Sequence, residues 1–489
     1  MNLQKKFLNQ SFIYFLVTVF TALGGFVSFP IWTRILKPEE YGFYNLFIVS
    51  IGLMTTFSKA GLQKSVIRFF SEFAAGKRSQ PISIYYSTHI VGSFAAGFIF
   101  SLLFLLYNLL FDTKFSIGAN THTLLLLLMV IVIAQSLNSV LISFLRVEQK
   151  VKGFAALSFI NRYGIIGSCI LFAVVFKMGL LGLLLGQAIM ESSVSIFFVT
   201  MMFWQKKFVV KHFSLKFFRE ALSFGIPLMP AESSRWMLSY LDRFIIQIFM
   251  GAAAVGYYSA GYNMTLYLSI LLAAPFNLAI IPMYLDIWEN QGAEKTRAFL
   301  ATVFDYYLMV AIPLICAFCL MGRALIELLA SAKYADAYVI LPYIVVPLIL
   351  NSAYSVYGAG LLIYKKTKLV MYYTLMAGVV NLVLNLILIP RMGLVGAAVA
   401  TLIAYTLLIT LTAVSAAKYL KISFRYKNML GYLAASLIMM WLIDNIGWDT
   451  LLGIAMKVGI GLCLYSVCLV FIDGRLRNKL FLSLKFLNH

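Results

Sequence analysis

Long apolar segments separated by short polar loops fill most of the 489-residue chain. A membrane-spanning helix needs about 20 mostly apolar residues, and the pattern predicts about fourteen such spans. They are expected near residues 8–30, 42–58, 84–111, 122–145, 154–176, 179–204, 222–249, 255–284, 300–321, 336–362, 369–390, 394–416, 429–446 and 451–472. Barrel strands are only about ten residues long and alternate in polarity, whereas these runs are longer and apolar on all sides. The predicted fold is therefore an all-α integral membrane bundle of about fourteen transmembrane helices.

Composition and charge agree with a membrane location. Hydrophobic residues make up 62% of the chain and charged residues 12%, against about 45–50% and about 25% in globular domains. The formal charge is +21, and 28 of the 39 basic residues fall in the termini and the even-numbered loops. Because basic residues favour cytoplasmic loops, we expect a multi-pass protein of the cell membrane with both termini in the cytoplasm. Its basic surface should meet anionic lipid headgroups, and no nucleic acid is expected as a partner.

The five cysteines do not indicate a metal or redox site. All of them lie in predicted spans. Cys316 and Cys319 have the spacing of a zinc or redox pair, but they lie mid-span with no second pair and no nearby histidine. Small apolar packing is the favoured interpretation.

An internal repeat links the two halves of the chain. The segment "YGFY" at 41–44 recurs 214 residues later as "VGYY" at 255–258. At the same shift "MGLLG" at 178–182 recurs as "MGLVG" at 392–396. Spans one to six then overlie spans seven to twelve, and because six is even the halves have the same orientation. A parallel repeat of this kind is typical of transporters that rock two lobes around a central site.

The repeat predicts four regions. An N-lobe of six spans covers 1–205, a basic cytoplasmic linker 206–220, and a C-lobe of six spans 221–417. The last two spans and a cytoplasmic C-terminus cover 418–489. The linker is also compatible with an amphipathic helix lying on an anionic leaflet.

Three stretches give the chain a family resemblance: "TRILKPEEYGFYNLF" at 33–47, the charged segment at 223–262, and "NLVLNLILIPRMGLVGAAVATLIAY" at 381–405. It resembles the polysaccharide exporters and lipid-linked oligosaccharide flippases of the multidrug/oligosaccharidyl-lipid/polysaccharide superfamily. The resemblance implies two six-helix lobes plus two further helices. It also implies a polyprenyl-diphosphate-linked glycan as substrate, flipped from the cytoplasmic to the outer leaflet. Other polysaccharide-assembly proteins are expected as partners.

Four charges lie within the predicted seventh span, 222–249: Glu232, Arg235, Asp242 and Arg243. On a helix they share one stripe about 100° wide. A charge at mid-bilayer costs roughly 2.5–3.5 kcal/mol on insertion scales, so they must face a wet or paired interior. One interpretation is a self-neutralising ladder that packs the bundle, with Glu232 and Arg235 paired at i,i+3. The other is that the arginines hold a diphosphate, which suits the planar guanidinium fork.

Two further arginines extend the predicted substrate site. Arg162 lies about a third of the way into the fifth span with no acid nearby in sequence, and such an arginine usually lines a cavity. Arg68 lies on the cytoplasmic extension of the second span, where it either captures headgroups or serves as a solvated topology charge. The predicted substrate-binding residues are Arg68, Arg162, Arg235 and Arg243.

Polar pairs at i,i+4 occur in two other spans. Glu191 shares a helical face with Gln187 in the sixth span, and Asn381 with Asn385 in the eleventh. Interhelical hydrogen bonds are the favoured explanation, and contacts with a glycan are the alternative.

Two rival functions compete with a flippase. A cation-coupled exporter of small molecules would have the same fold, and Glu191, Glu232 or Asp242 would then bind a proton or sodium. No cofactor is expected, although protons, sodium or the membrane potential are candidate driving forces. A membrane enzyme would need a sizeable extracytoplasmic loop with acid and base groups, whereas the outer loops are short. We therefore expect a transporter and no enzymatic activity.

Overall fold

The computed structural model describes residues 3–110, 121–444 and 451–472, and all regular secondary structure in these ranges is helical. The α-helices are α1 (Leu3–Ile35), α2 (Pro38–Ser58), α3 (Leu62–Ala74), α4 (Ile82–Leu110), α5 (Thr121–Val147), α6 (Val151–Ile170), α7 (Gly179–Trp204), α8 (Leu215–Gly225), α9 (Met229–Tyr240), α10 (Asp242–Met250), α11 (Ala252–Leu320), α12 (Gly322–Leu329), α13 (Leu341–Ser352), α14 (Tyr354–Tyr357), α15 (Ala359–Ile363), α16 (Thr367–Ala417), α17 (Tyr426–Asp444) and α18 (Leu451–Ile472). This confirms the predicted all-α fold class.

Nine helical segments of the described chain are long and apolar enough to cross a membrane. The protein is therefore a multi-pass membrane protein. Some of these segments hold more than one predicted span. The 51-residue α16 contains the eleventh and twelfth, joined across a kink at Gly393, where φ is 60°. The 69-residue α11 is likewise joined across Gly292, where φ is 82°.

The predicted seventh span is helical but is interrupted twice. Residues 222–249 are divided among the end of α8, a 3-10 turn at Ile226–Leu228, α9 and α10. Pro227 lies within the first break and Pro230 just after it, and a proline removes a backbone donor and collides with the preceding turn. The second break lies at Leu241, whose backbone dihedrals remain helical (φ −66°, ψ −28°).

The chain divides into two compact units, residues 1–256 and 257–489. In the first unit α5 packs against α4 and α7, and α6 packs against α1 and α7. In the second unit α13 and α15 pack against α16, and α17 packs against α18. The predicted lobe boundaries at 205 and 417 stay a prediction, since a compact unit need not end where a sequence repeat ends.

The predicted linker is docked onto the first unit. Arg78, after α3, donates to both carboxylate oxygens of Glu220 on α8, at 2.8 and 2.5 Å. The Nζ of Lys207 lies 2.6 Å from Glu148 at the end of α5. The hydrogen bond to Arg78 lowers the pKa of the Glu220 carboxyl, and the same contact raises the pKa of Arg78. The segment is therefore fixed to α3 and α5 by charge contacts.

Two glycines of the repeat meet in the first unit. A Cβ added at Gly42 would lie 1.8 Å from the carbonyl oxygen of Ala252, and one at Gly256 would lie 1.9 Å from that of Pro38. Pro38 and Ala252 are also 214 residues apart, so the two contacts are equivalent under the repeat, as in a two-fold interface. We call this contact the glycine crossing.

The second pair of repeated segments also has equivalent geometry. Gly179 and Gly393 both adopt left-handed φ, 54° and 60°, which glycine tolerates at no steric cost. A Cβ at Gly182 or Gly396 would come within 2.6 Å or 2.4 Å of backbone in the segment before the turn. Both sequence matches that revealed the repeat therefore lie where close backbone packing requires glycine.

Candidate functional site

A close backbone contact positions the first group of polar residues. Gly61, between α2 and α3, has a left-handed φ of 70°, and a Cβ there would lie 2.3 Å from the carbonyl oxygen of Gly225 at the end of α8. The indole of Trp236 on α9 lies against Gly52 on α2, where a Cβ would be 3.0 Å from its Nε1. Because glycine admits both contacts, the start of α9 is held beside the turn that joins α2 and α3.

Glu232 on α9 faces this turn. The Nε2 of Gln63 donates to its Oε2 at 3.2 Å, and the Nζ of Lys64 lies 3.7 Å from its Oε1. Lys59 is near enough for its charge to interact with that of Glu232. The Lys64 and Glu232 side chains are 49% and 37% exposed, and such exposed ion pairs contribute about 0–1 kcal/mol. Lys64 can therefore change partner at little cost.

Arg235 does not pair with Glu232. Its side chain is exposed and makes no hydrogen bond or ion pair with any residue that the structure describes. The carboxylate three residues earlier points to α3 instead. The Glu232–Arg235 step of the ladder interpretation is therefore wrong, because α3 supplies partners to the carboxylate.

Asp242 and Arg243 form the other half of the expected ladder. Both are 1% exposed, and the Nη1 of Arg243 lies 2.9 Å from Asp242 Oδ1. The same nitrogen donates to the carbonyl oxygen of Ser239 at 2.8 Å, and the guanidinium lies 5.0 Å from the ring centroid of Tyr240. This arrangement favours the structural interpretation for Arg243, since a buried pair is costly to break.

Arg162 on α6 lies across the face of α1. A Cβ added at Gly24 would be 3.1 Å from its Cγ and 3.2 Å from its Nε. That Nε is buried and has no hydrogen-bond partner within the described ranges. Arg162 also forms no ion pair with the residues described there. The sequence-based expectation of an arginine without an acidic partner agrees with this geometry.

Arg68 lies on the outer face of α3. It forms an i,i+4 ion pair with Glu72 at 2.7 Å, and its side chain is 53% exposed. This placement agrees with the interpretation as a solvated topology charge, and capture of headgroups stays a prediction.

Glu191 on α7 is buried, with 4% exposure. It accepts hydrogen bonds from Asn138 at 2.6 Å, Gln135 at 3.3 Å and Asn161 at 3.5 Å. These three amides belong to α5 and α6, so the hydrogen bonds are interhelical, as the sequence favoured. Gln187, which shares its helical face, is buried as well.

Asn381 and Asn385 lie in the second unit and are fully buried. Asn385 Nδ2 donates to Asn381 Oδ1 at 2.9 Å, within α16. The other amide atoms, Asn381 Nδ2 and Asn385 Oδ1, are buried without a partner among the described residues. The expected interhelical bond is replaced here by one along a single helix.

Sequence reasoning missed three groups that complete this picture. Lys59 and Gln63 flank the Gly61 turn, and Asn161 immediately precedes Arg162. The only sequence signal for the first two was a glycine set between polar residues at the end of a span. A Gly61–Gly225 contact cannot be read from one sequence.

Comparisons with known proteins identify a family and a relative of similar length. The sequence model of a family described as "Polysaccharide biosynthesis protein" matches residues 7–288. The "Probable low-salt glycan biosynthesis flippase Agl15" of Haloferax volcanii is 22% identical over 465 residues, which cover 95% of this chain and 94% of that protein.

Two solved structures share the fold. A lipid II flippase MurJ in an inward closed conformation has a TM-score of 0.76 and 17% identity, covering 95% of this chain and 99% of its own. An inward-facing MATE multidrug resistance transporter of the MOP superfamily has a TM-score of 0.64 and 15% identity, covering 82% and 93%. At these identities the likeness establishes the fold alone.

Proposed function

Because the chain belongs to the polysaccharide biosynthesis protein family, we propose that it flips a polyprenyl-diphosphate-linked oligosaccharide from the cytoplasmic to the outer leaflet of the cell membrane. The observation that carries this proposal is that no described acid neutralises either Arg162, whose Nε is buried without a partner, or the exposed Arg235. A cation kept inside a membrane span without an acidic partner, as Arg162 is, usually serves a ligand or an ion pathway. A diphosphate is the anion that two guanidinium groups suit best.

The relatives support transport rather than catalysis. The Haloferax volcanii relative is named as a probable flippase in glycan biosynthesis, and the two structural neighbours are named as a flippase and a transporter. We infer a lipid-linked glycan as substrate, with bilayer lipids around it and other polysaccharide-assembly proteins as its suppliers and users.

In this proposal the polar groups have different roles, according to where they lie. Lys59 and Lys64 follow the second predicted span on the predicted cytoplasmic side, and both interact with Glu232, three residues before exposed Arg235 on α9. An arriving diphosphate offers Lys64 a stronger partner than the exposed Glu232 carboxylate, because it carries more negative charge. Gln63 then remains to hold Glu232. Arg162 provides a further cation within its span for the headgroup.

An apolar groove is lined by Tyr163, the residue that follows Arg162 on α6. It has a volume of about 400 Å³ and lies between α1 and α6, with Phe20, Phe159 and Tyr163 among its lining residues. The hydroxyl of Tyr163 donates to the carbonyl oxygen of Phe20 at 2.9 Å and so ties the two helices together. In our proposal the first isoprene units of the substrate lie in this groove while the diphosphate meets the guanidinium.

A reconstituted system tests the proposal directly. Purified protein in vesicles should transfer a polyprenyl-diphosphate oligosaccharide between leaflets, measured as the time course of headgroup accessibility to a lectin or glycosidase outside. Arg162→Gln should slow this transfer, and Arg146→Gln, at the exposed end of α5, should not. Transport of a lipophilic cation by the same vesicles, with no glycan transfer, would contradict the proposal and favour the exporter alternative.

A further inference from the structure

The Glu191 carboxyl group lies inside the first unit without a cationic partner. It forms no ion pair with any residue in the described part of the chain, and its hydrogen-bond donors are the amides of Gln135, Asn138 and Asn161. Buried acids are usually paired or bound to a metal ion. An intramembrane acid enclosed by neutral donors therefore calls for a functional explanation.

The orientation of two of the amides is fixed by hydroxyl groups. Ser195 Oγ donates to Asn138 Oδ1 at 2.8 Å, and Thr55 Oγ1 donates to Gln135 Oε1 at 3.2 Å. Their amide oxygens are thereby occupied, and their N–H groups point at Glu191. Sodium needs several oxygen ligands, as other hard cations do, and N–H groups repel it. The three amides form a cage around Glu191, and this cage suits a carboxyl group that exchanges a proton.

Asn161 lets the cage accept both protonation states. Its Nδ2 lies 3.5 Å from Glu191 Oε2, and its Oδ1 is buried without a hydrogen-bond partner among the described residues. A protonated carboxyl carries an O–H donor that needs an acceptor. Rotation of the Asn161 amide by half a turn would bring its free oxygen to that proton. The carboxylate and the acid are then both hydrogen-bonded by the same residues.

We propose that Glu191 is a proton-binding site and that its proton exchange couples the transport cycle to a proton gradient. The coupling rests on the proposed flippase function, whereas proton binding at Glu191 does not. The proton comes from water as the carboxylate becomes an acid and returns to water when it ionises again, so no bond other than O–H is made or broken.

The charged and titratable groups on neighbouring helices are few. Lys59, at the end of α2, interacts electrostatically with both Glu191 and Glu232. On α6 the side chain of Arg162 runs across α1, and the Sγ of Cys169 donates to a backbone carbonyl at 3.1 Å. The charges of α5 lie at its ends. The groups of α5 that donate to Glu191 are the uncharged amides of Gln135 and Asn138. Lys59 thus interacts with a carboxylate at each of the two sites, Glu191 and Glu232.

Infrared difference spectroscopy across a pH series tests proton binding without any substrate. The wild-type protein in lipid should show a carboxylic-acid band of Glu191 that grows as the pH falls, in addition to the bands of its other carboxyl groups. This band should be missing in Glu191→Gln, whose amide can accept from the same donors and can donate to Asn161. Asp305→Asn is the matched control, because Asp305 is also buried but lies 3.6 Å from Arg425, and it should keep the band. A wild-type spectrum identical to that of Glu191→Gln would overturn the inference.

Vesicles with an imposed pH gradient test the coupling. One proton per cycle should change the final leaflet distribution of the glycan about tenfold per pH unit, and Glu191→Gln should abolish this dependence while Asp305→Asn retains it. An unchanged dependence in Glu191→Gln would contradict the coupling. If the band titrates but no glycan moves, the proposed function fails and the proton site stands. If Glu191→Gln does not accumulate, Glu191→Asp should shift the midpoint of the band, and an unmoved midpoint would refute the assignment.

Discussion

Replacing Arg162 by lysine isolates the chemistry that we assign to a guanidinium inside the membrane. Arg162→Lys keeps the charge and the aliphatic stem that crosses Gly24, but it removes the planar fork and the buried Nε. A hydrogen bond to a charged group contributes about 1.5–3 kcal/mol. Loss of one fork contact should therefore lower substrate occupancy about 10- to 150-fold. Folding should not suffer, because the Nε has no partner among the described residues to lose.

Arg235→Lys should lower substrate occupancy less than Arg162→Lys does. Arg235 is exposed, so water and ions screen its contacts, and a bond worth about 0.5–1.5 kcal/mol corresponds to roughly 2- to 12-fold in occupancy. Arg146→Lys is the matched control, because Arg146 is an exposed arginine whose guanidinium lies 4.8 Å from the ring centroid of Phe154. It should flip glycan as the wild type does.

The assay is flipping in vesicles or display of surface glycan, normalised to folded protein. Because Arg235 and Glu232 are not in contact, Glu232→Ala should not rescue Arg235→Ala. Normal flipping by both Arg162→Lys and Arg235→Lys would refute diphosphate binding. Rescue by Glu232→Ala would show that the two side chains pair in the working protein.

Three further outcomes follow from the packing and the charges. Gly42→Ala should lower the unfolding temperature in detergent, since overpacking costs about 1–3 kcal/mol, whereas Gly167→Ala, with no atom within 4 Å of its Cβ, should not; equal temperatures would contradict the glycine crossing. The pKa of Glu220 is lowered below its usual 4.5 by Arg78, so this contact is complete above pH 4.5 and is lost as the pH falls through the lowered pKa. Hydrogen exchange in α8 should accelerate only in that acid range, and acceleration at neutral pH would contradict this. A cysteine at Gly251 should be labelled only from outside and one in the linker only from the cytoplasm; the reverse would overturn the topology.

The fold class followed from the sequence because spans are long and their signal is strong. The repeat followed from a few glycines, and Gly42 and Gly256 prove to lie where only glycine fits. These features depend on residues close together in the chain or on a repeated spacing. A single sequence contains both kinds of information.

The partners of the charges could not be read in the same way. An i,i+3 spacing made Glu232 and Arg235 plausible partners on a straight helix, but the residues that reach the carboxylate lie 168 and 169 positions earlier, at Lys64 and Gln63. Their approach depends on a backbone contact at Gly61. The lack of an acidic partner for Arg162 could be predicted, because no acid lies near it in the sequence. The structure agrees for the residues that it describes.

The repeat provides a symmetric scaffold for chemistry that is not symmetric. At the 214-residue shift Glu191 corresponds to Tyr405, Arg162 to Met376, and Glu232 to Thr18. The glycines that set backbone contacts are kept in both halves, whereas the charged groups occur in only one copy at these positions. In the proposed function, matched halves would let the carrier rock, whereas a substrate headgroup with one diphosphate would need its cations in only one half. Substitutions at the paired glycines should therefore impair folding, whereas substitutions at Arg162, Glu191 or Glu232 should impair transport by protein that still folds.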